Sequence, residues 1–323
     1  MRGTGVSMGK EGWNRFLRYA VSGLAVWLLA RQVDGAALVE ALAKVKVAGV
    51  VAAVVVYLVG QLMTAYRWRI ISERVGFSES FSGICRYYFI GMFFNLFGPS
   101  TLGGDVVRSL YLGQTDGRRT VAFNTVVFDR LSGLAVLVLV AVTAMLAFGS
   151  YNLPPVLSVL TVVSGIGMLA GWWLIPPLAR VFFEESNRIR QLVENDLGTF
   201  WHDRRLLWDM AWVSAVFHVV QVVAVIMLGE SLGLGLPWPY YFLFHPMVTI
   251  FSALPISLAG LGIREIGYVY FLADLSSVAR EAALAFGILW LLVLLVASGV
   301  GGIVFLATGS SLPQLRGGDD LAQ

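Results

Sequence analysis

The sequence predicts an all-α, polytopic integral membrane protein with about six spans and two re-entrant helical hairpins, arranged as an inverted repeat. The first observation is composition: 58% of the 323 residues are hydrophobic, 13% are charged, and the mean hydropathy is +0.77. Soluble domains carry roughly 25% charged residues. The second observation is six apolar runs that approach the roughly 20 residues needed to cross hydrocarbon. The third is a pair of further apolar runs that Pro, Gly and charged residues interrupt.

The predicted spans follow one another along the chain without a soluble domain between them. They are residues 13–30, 47–65, 121–148, 156–179, 206–229 and 282–308. No small-residue cleavage pattern follows the first run, so we expect it to be a retained span rather than a signal peptide. The polar tail, residues 310–323, is expected to be disordered.

Two interrupted segments, residues 81–112 and 238–272, are predicted to be the hairpins. We call them the first hairpin and the second hairpin. Pro99 and Pro255 mark the interruptions, and an Arg follows each Pro by nine residues, at Arg108 and Arg264. A broken backbone at membrane depth is tolerated only where protein or a water-filled cavity satisfies its polar groups. Both segments are therefore expected to enter and leave the membrane on one side.

Lysine and arginine report the orientation, because cytoplasmic loops of membrane proteins carry an excess of both. With the N-terminus inside, sixteen of the 23 fall in cytoplasmic segments, Arg67 among them, and four fall outside. This predicts cytoplasmic N- and C-termini. Residues 1–155 and 156–309 are then two repeats of opposite orientation, an arrangement typical of transporters. Residues 180–205 are predicted to form a cytoplasmic amphipathic helix that links them.

The start of the first hairpin's second arm has the features of an anion site. Ser100 or Thr101 can cap a helix whose N-terminal N–H groups favour a negative ligand, and Gly103 and Gly104 permit close approach. Close helix packing alone is the alternative reading of the glycines. Asp105 and Arg108 are three residues apart, so they share a helix face and can neutralise one another.

The second hairpin repeats this pattern with one difference. Arg264 and Glu265 are adjacent and project about 100° apart on a helix. They are therefore predicted not to pair, which leaves Asp105, Asp129 or a bound phosphate as the partner of Arg264. Asp129 and Arg130 form a third charged island, for which a position at the membrane interface is the alternative to a site. Ser257, Gly260 and Gly262 complete the candidate site at the second turn.

Three motifs of this sequence resemble one known family. They are Gly103-Gly104-Asp105-Val106-Val107-Arg108, Asp129-Arg130-Leu131-Ser132-Gly133 and the segment from Pro255 through Gly260, Gly262, Arg264 and Glu265. They look like the flippase-like transmembrane family related to the N-terminal membrane domain of lysyl-phosphatidylglycerol synthases, the multiple peptide resistance factors. Members of that family often have Glu where Asp129 stands, which preserves the charge.

The resemblance implies a function as well as a fold. Larger family members fuse the membrane domain to an aminoacyl transferase that modifies phosphatidylglycerol, and the membrane domain is thought to move the product between leaflets. A chain that ends at Gln323 leaves no room for the transferase, so we expect a stand-alone member without synthase activity.

The leading hypothesis is a flippase or scramblase-like transporter of the prokaryotic cell membrane. Its ligand would be a phosphate-bearing lipid, whether or not aminoacylated or glycosylated, held between the two hairpin turns. Three alternatives stay open: a transporter of a small soluble anion, a membrane partner of a soluble transferase or synthase, and an intramembrane lipid-modifying enzyme. The oligomeric state also stays open.

No catalytic, metal or cofactor site is predicted. The sequence has no Gly-Lys-Ser/Thr nucleotide loop, no nucleophile elbow and no paired-histidine metal motif. The single cysteine, Cys85, cannot form an internal disulfide. The net charge of +3 is attributed to membrane orientation, so no nucleic-acid partner is expected.

Overall fold

The regular structure of the computed structural model is helical throughout the part of the chain that it describes. It describes residues 10–97, 103–148, 153–185, 187–191, 193–194, 198–201, 203–253, 257 and 259–309. The predicted disordered tail lies outside these ranges. In chain order the helices are α1 (Lys10–Gln32), α2 (Gly35–Ala43), α3 (Val47–Arg74), α4 (Phe81–Phe97), α5 (Gly103–Asp116), α6 (Arg119–Ala147), α7 (Pro155–Phe182), α8 (Arg188–Gln191), α9 (Gly198–Trp201), α10 (Arg204–Leu232), α11 (Trp238–Ala253), α12 (Ile263–Val269) and α13 (Arg280–Ala307).

Four of these helices are long and apolar enough to cross a membrane: α3, α6, α10 and α13, each of 28 or 29 residues. A helix of that length spans about 42 Å, more than the roughly 30 Å hydrocarbon core. Their positions match four of the six predicted spans. The predicted first span is also a helix, α1, but it is not one of these four.

Helix α7 corresponds to the remaining predicted span and is bent by 67° between Gly171 and Leu174. Pro176 and Pro177 lie inside the helix just after the bend. Each proline lacks the N–H that would bond to the carbonyl four residues earlier, which explains a break at this position. Taken as one span, the bent helix raises the number of candidate spans to five.

The chain divides into two compact units, each of which contains one hairpin. The first-hairpin unit comprises residues 54–139, 162–221 and 294–323, and the second-hairpin unit comprises residues 1–53, 140–161 and 222–293. These units are interleaved along the sequence, whereas the predicted repeats are consecutive. The repeat boundary near residue 155 stays a prediction.

The first hairpin is an antiparallel pair of helices, α4 and α5. Tyr87 and Tyr111 stack with ring centroids 5.3 Å apart, and nearer the turn Gly91 contacts Gly104. These two contacts show that the helices run in opposite directions. Helix α4 also packs against α13, where a Cβ on Gly301 would lie 3.2 Å from the Cβ of Phe93.

The second hairpin pairs α11 with α12 in the same antiparallel way. His245 Nδ1 lies 3.0 Å from the Tyr268 hydroxyl, and the Tyr240 hydroxyl donates to the carbonyl of Phe271 at 2.6 Å. The second arm continues from α12 into a π-helical turn, Tyr270–Asp274. The ring of Phe244 contacts the rings on this arm, so the two arms share a buried aromatic core.

The described part of the predicted linker, residues 180–205, contains two short helices, α8 and α9. Arg180 at the end of α7 and Arg190 of α8 both contact the carboxylate of Glu194, at 2.5 and 3.0 Å. Arg190 also donates to the carbonyl of Phe183. The Arg180 hydrogen bond, followed by that of Arg190, holds the pKa of Glu194 below its ordinary value of 4.5.

Candidate functional site

The second arm of the first hairpin begins in close contact with the first arm. A Cβ on Gly104 would lie 2.6 Å from the carbonyl carbon of Gly91 and closer still to its oxygen. The Gly104 N–H donates to Asn95 Oδ1 at 2.9 Å. The predicted caps Ser100 and Thr101 lie outside the described residues. The glycine is therefore required for packing, and a neutral amide satisfies its backbone donor.

Arg108 lies one turn further along α5 and is almost fully buried, with 3% of its surface exposed. Its Nε is 3.3 Å from Asp105 Oδ1, as the shared helix face predicted. Its Nη2 donates to Asp129 Oδ2 on α6 at 3.0 Å. The guanidinium carbon also lies 4.9 Å from the ring centroid of Trp68 and 5.2 Å from that of Tyr88. Desolvated cation–π contacts of this kind contribute about 2 kcal/mol.

Asp129, the carboxylate of the third charged island, is buried in the first-hairpin unit. Arg67 of α3 donates from Nε to Asp129 Oδ1 at 2.8 Å and from Nη2 to the Asp129 carbonyl at 3.1 Å. Arg67 Nη1 donates to Ser214 of α10 at 2.7 Å. Every nitrogen of the Arg67 guanidinium thus has an acceptor, and the pair joins three helices.

Arg67, which is predicted to lie in a cytoplasmic segment, has a buried side chain in the structure. The apolar run ends near residue 65, but α3 continues to Arg74 and carries Arg67 into the core of the first-hairpin unit. A hydropathy pattern cannot distinguish a charge that follows a span from one that is buried and paired. Moving one of the sixteen cytoplasmic residues leaves the charge excess on the same side.

The motif that begins at Asp129 gains a physical explanation from this contact. A Cβ on Gly133 would lie 2.9 Å from Arg67 Nη1, so the glycine leaves room for the guanidinium. The Ser132 hydroxyl donates to the Asp129 carbonyl at 3.1 Å. His218 Nε2 lies 3.2 Å from the Gly133 carbonyl. Gly133 therefore allows the close packing of the Arg67 guanidinium against α6.

Arg130 connects the buried pairs to the exterior. Its Nη2 lies 2.7 Å from Asp105 Oδ2, and 52% of its side chain is exposed, against 7% for Asp105. Within the described part of the first-hairpin unit, this contact completes a continuous network of ion pairs. The ion-pair network runs in the order Arg67, Asp129, Arg108, Asp105, Arg130.

The ion-pair network is positively charged and incompletely satisfied. Three guanidinium groups meet two carboxylates, which leaves one excess positive charge. Arg108 Nη1 is buried and has no hydrogen-bond partner in the described part of the chain, and Nε has only the 3.3 Å ion contact. Because a buried donor without an acceptor costs about 1–3 kcal/mol, this end of Arg108 is suited to an anionic ligand.

The second hairpin corrects the prediction for Arg264. Its Nε and Nη2 donate to Glu265 Oε1 at 3.0 and 2.7 Å, and both side chains are buried. The angle of about 100° between adjacent residues fixes only the directions of their Cβ atoms. Both side chains are long enough to converge beyond those atoms. Glu265 Oε2 also accepts from the Gly262 N–H at 2.7 Å, so Glu265 caps α12. Among the described residues, the ion-pair partner of Arg264 is Glu265.

The remaining predicted residues of the second hairpin shape its turn. Gly260 and Gly262 have φ of +76° and +85°, a region that favours glycine. A Cβ on Gly260 would lie 3.1 Å from the Ser252 carbonyl oxygen. Ser257 is buried, and its hydroxyl has no hydrogen-bond partner among the described residues.

A buried ion-pair network beside a helical hairpin, in a chain with four or five apolar spans, defines a multi-pass helical membrane protein with a charged internal site. The chain belongs to the family of the lysylphosphatidylglycerol synthase TM region, whose model matches residues 15–302. The resemblance of the three motifs is thereby confirmed. No curated protein matches the sequence.

Proposed function

We propose that this protein moves a phosphate-bearing lipid, whether or not aminoacylated or glycosylated, between the leaflets of the cell membrane as a flippase or scramblase. The observation that carries the proposal is the unpaired, buried Arg108 Nη1 within an ion-pair network of net positive charge. Phosphate oxygens are strong acceptors for guanidinium groups. The family of the chain supports a lipid rather than another anion.

The proposed path uses Arg130 as the first contact. This residue is half-exposed and touches Asp105, which in turn touches Arg108. A headgroup phosphate that meets Arg130 is therefore two ion contacts away from the buried guanidinium. The acyl chains remain in the bilayer during the transfer. No covalent bond of the lipid changes in this scheme, so the protein acts as a transporter rather than an enzyme.

The proposal includes a definite membrane arrangement. Six spans and two re-entrant hairpins form an inverted repeat, with both termini in the cytoplasm. The excess of Lys and Arg in the predicted cytoplasmic segments supports this orientation.

The test is a flipping assay with the purified protein in liposomes. Lipids labelled on the headgroup, with phosphatidylglycerol, its lysyl ester and phosphatidylcholine as probes, are followed by protection from an impermeant reagent. We expect protein-dependent transfer of at least one phosphoglycerol lipid, and loss of transfer in Arg108→Gln. This variant leaves each carboxylate of the ion-pair network one arginine partner, so it is expected to fold.

A matched control is Arg69→Gln, which removes an arginine from an ion pair with Glu73 on the outer part of α3. This variant should transfer lipid at the wild-type rate. Folded wild-type protein that transfers none of the three probes would refute the proposal. A change in lipid mass during the assay would instead identify an enzyme.

A further inference from the structure

We infer that Asp105 is an internal counter-ion that competes with the ligand for Arg108 and Arg130, and that the ligand's binding group is a monoanionic phosphodiester. This inference rests on the proposed function and adds the chemistry of the bound group and the means of its release. It follows from a comparison of three buried carboxylates, those of Asp129, Asp105 and Glu265, which are held by different numbers of hydrogen bonds.

Asp129 is held too firmly to exchange partners. It receives hydrogen bonds from Arg67 Nε at 2.8 Å and Arg108 Nη2 at 3.0 Å, while its own carbonyl accepts from Arg67 Nη2. The side chains of Asp129 and Arg67 are 3% and 5% exposed. Charge-assisted bonds in so dry a setting are strong, so Asp129 is a fixed part of the network.

Asp105 is held loosely by comparison. Its contact with Arg108 is 3.3 Å long, and the Arg108 Nε in that contact has no hydrogen bond of proper geometry within the described residues. Its shorter contact, 2.7 Å, is to Arg130, half of whose side chain is exposed. Water and salt weaken ion pairs at such a position. Asp105 is therefore the carboxylate that a competing anion can displace.

Glu265 of the second hairpin is, by contrast, a buried carboxylate that hydrogen bonds hold firmly in place. It accepts three hydrogen bonds, from the Gly262 N–H, Arg264 Nε and Arg264 Nη2. Asp105 lies in the first turn of α5, where the backbone donor of Gly104 bonds to Asn95 Oδ1 and not to the Asp105 carboxylate. Among the described residues, the Asp105 carboxylate is held by its contacts with Arg108 and Arg130 and by no backbone N–H.

The charge balance sets the chemical class of the ligand. Three arginines and two aspartates leave a single positive charge, which one negative charge neutralises. A phosphodiester carries one negative charge, whereas a phosphate monoester or inorganic phosphate carries close to two at neutral pH. Asp105 then restores neutral pairing with Arg130 when the ligand leaves, which keeps binding reversible.

The inference is tested by binding of short-chain phosphatidylglycerol to the detergent-solubilised protein. Asp105→Asn removes the competitor, and Arg130→Gln removes a ligand contact. We expect about tenfold tighter binding for the first and about tenfold weaker binding for the second, the effect of one charge-assisted hydrogen bond. The double variant restores the wild-type charge of the network and should bind within about threefold of wild type.

The control is Glu73→Gln, which removes a carboxylate from the exposed pair with Arg69 and should leave the affinity unchanged. Unchanged or weaker binding in Asp105→Asn would overturn the counter-ion role. If that variant cannot be purified, unchanged affinity in Arg130→Gln overturns it, because the half-exposed Arg130 is replaceable without unfolding.

Two further experiments distinguish a failure of this inference from a failure of the proposed function. Inorganic phosphate is titrated in place of the lipid, and all variants are carried into the flipping assay. Equal affinity for inorganic phosphate would refute the phosphodiester assignment and favour a soluble anion as cargo. If phosphatidylglycerol binds as expected but is never transferred, the counter-ion role stands and the transport proposal fails.

Discussion

Alanine in place of Gly104 is expected to force the two arms of the first hairpin apart. The added Cβ would lie 2.6 Å from the carbonyl carbon of Gly91 and 2.8 Å from Asn95 Cγ. Carbon atoms in contact lie about 3.5–4.0 Å apart, so the arms must separate by roughly 1 Å. The obstacle is backbone and cannot rotate away.

The magnitude follows from two opposing effects. Overpacking of a close contact costs about 1–3 kcal/mol, while replacing a helical glycine with alanine gains up to about 1 kcal/mol. Gly299→Ala on α13 isolates the second effect, because a Cβ there meets nothing within 4 Å. The helix gain is common to both variants and cancels, so we expect them to differ by the overpacking cost, about 1–3 kcal/mol in stability, on the order of 5 °C in Tm.

Thermal unfolding of the purified variants in one detergent, followed by tryptophan fluorescence, measures this difference. Gly301→Ala provides a second comparison, since its Cβ would lie 2.6 Å from the Phe89 carbonyl carbon, away from the ion-pair network. It should lose stability as Gly104→Ala does but keep the affinity for phosphatidylglycerol. If Gly104→Ala unfolds at the same temperature as Gly299→Ala, the close approach of the arms is refuted.

Three other predictions concern the buried charges and the orientation. Asp129→Asn removes the carboxylate that two buried arginines share, so it should lower stability by about 3–5 kcal/mol, and an unchanged Tm would contradict the described network. Arg264→Gln should also lower the ligand-free Tm, because it leaves a buried carboxylate without its cation, whereas a residue that only met substrate would leave that Tm intact. In a background without Cys85, cysteine at Lys44 should react with an impermeant reagent from outside and cysteine at Glu185 from inside, since both side chains are exposed, at 72% and 89%. The reverse labelling pattern would invert the proposed orientation.

Features that depend on a few neighbouring residues were predictable. The broken apolar runs at Pro99 and Pro255 identified both helical hairpins, and the spacing of Asp105 and Arg108 identified their ion pair. Helix geometry places residues three or four apart on one face whatever surrounds them. The long apolar runs identified α3, α6, α10 and α13 as span candidates for the same reason, since the bilayer sets a minimum length.

Rules that consider only neighbouring residues gave a wrong prediction where the side chains are long. The adjacent Arg264 and Glu265 pair because their flexible side chains converge beyond the Cβ atoms, and because Glu265 is already turned toward the Gly262 N–H. No pattern in the sequence specifies which rotamers they take. That choice depends on the turn around Gly262, whose φ is +85°.

The sequence by itself determined that the chain crosses a membrane and to which family it belongs. Only the tertiary structure decided which charges meet. Arg67 and Asp129 are 62 residues apart and Arg67 and Ser214 are 147 apart, and both contacts exist because α3, α6 and α10 pack together. The packing of whole helices sets such distances, and helix packing depends on the shapes of many side chains at once. For that reason no sequence motif predicts the excess positive charge of the ion-pair network or the buried Arg108 Nη1 without a hydrogen-bond partner among the described residues.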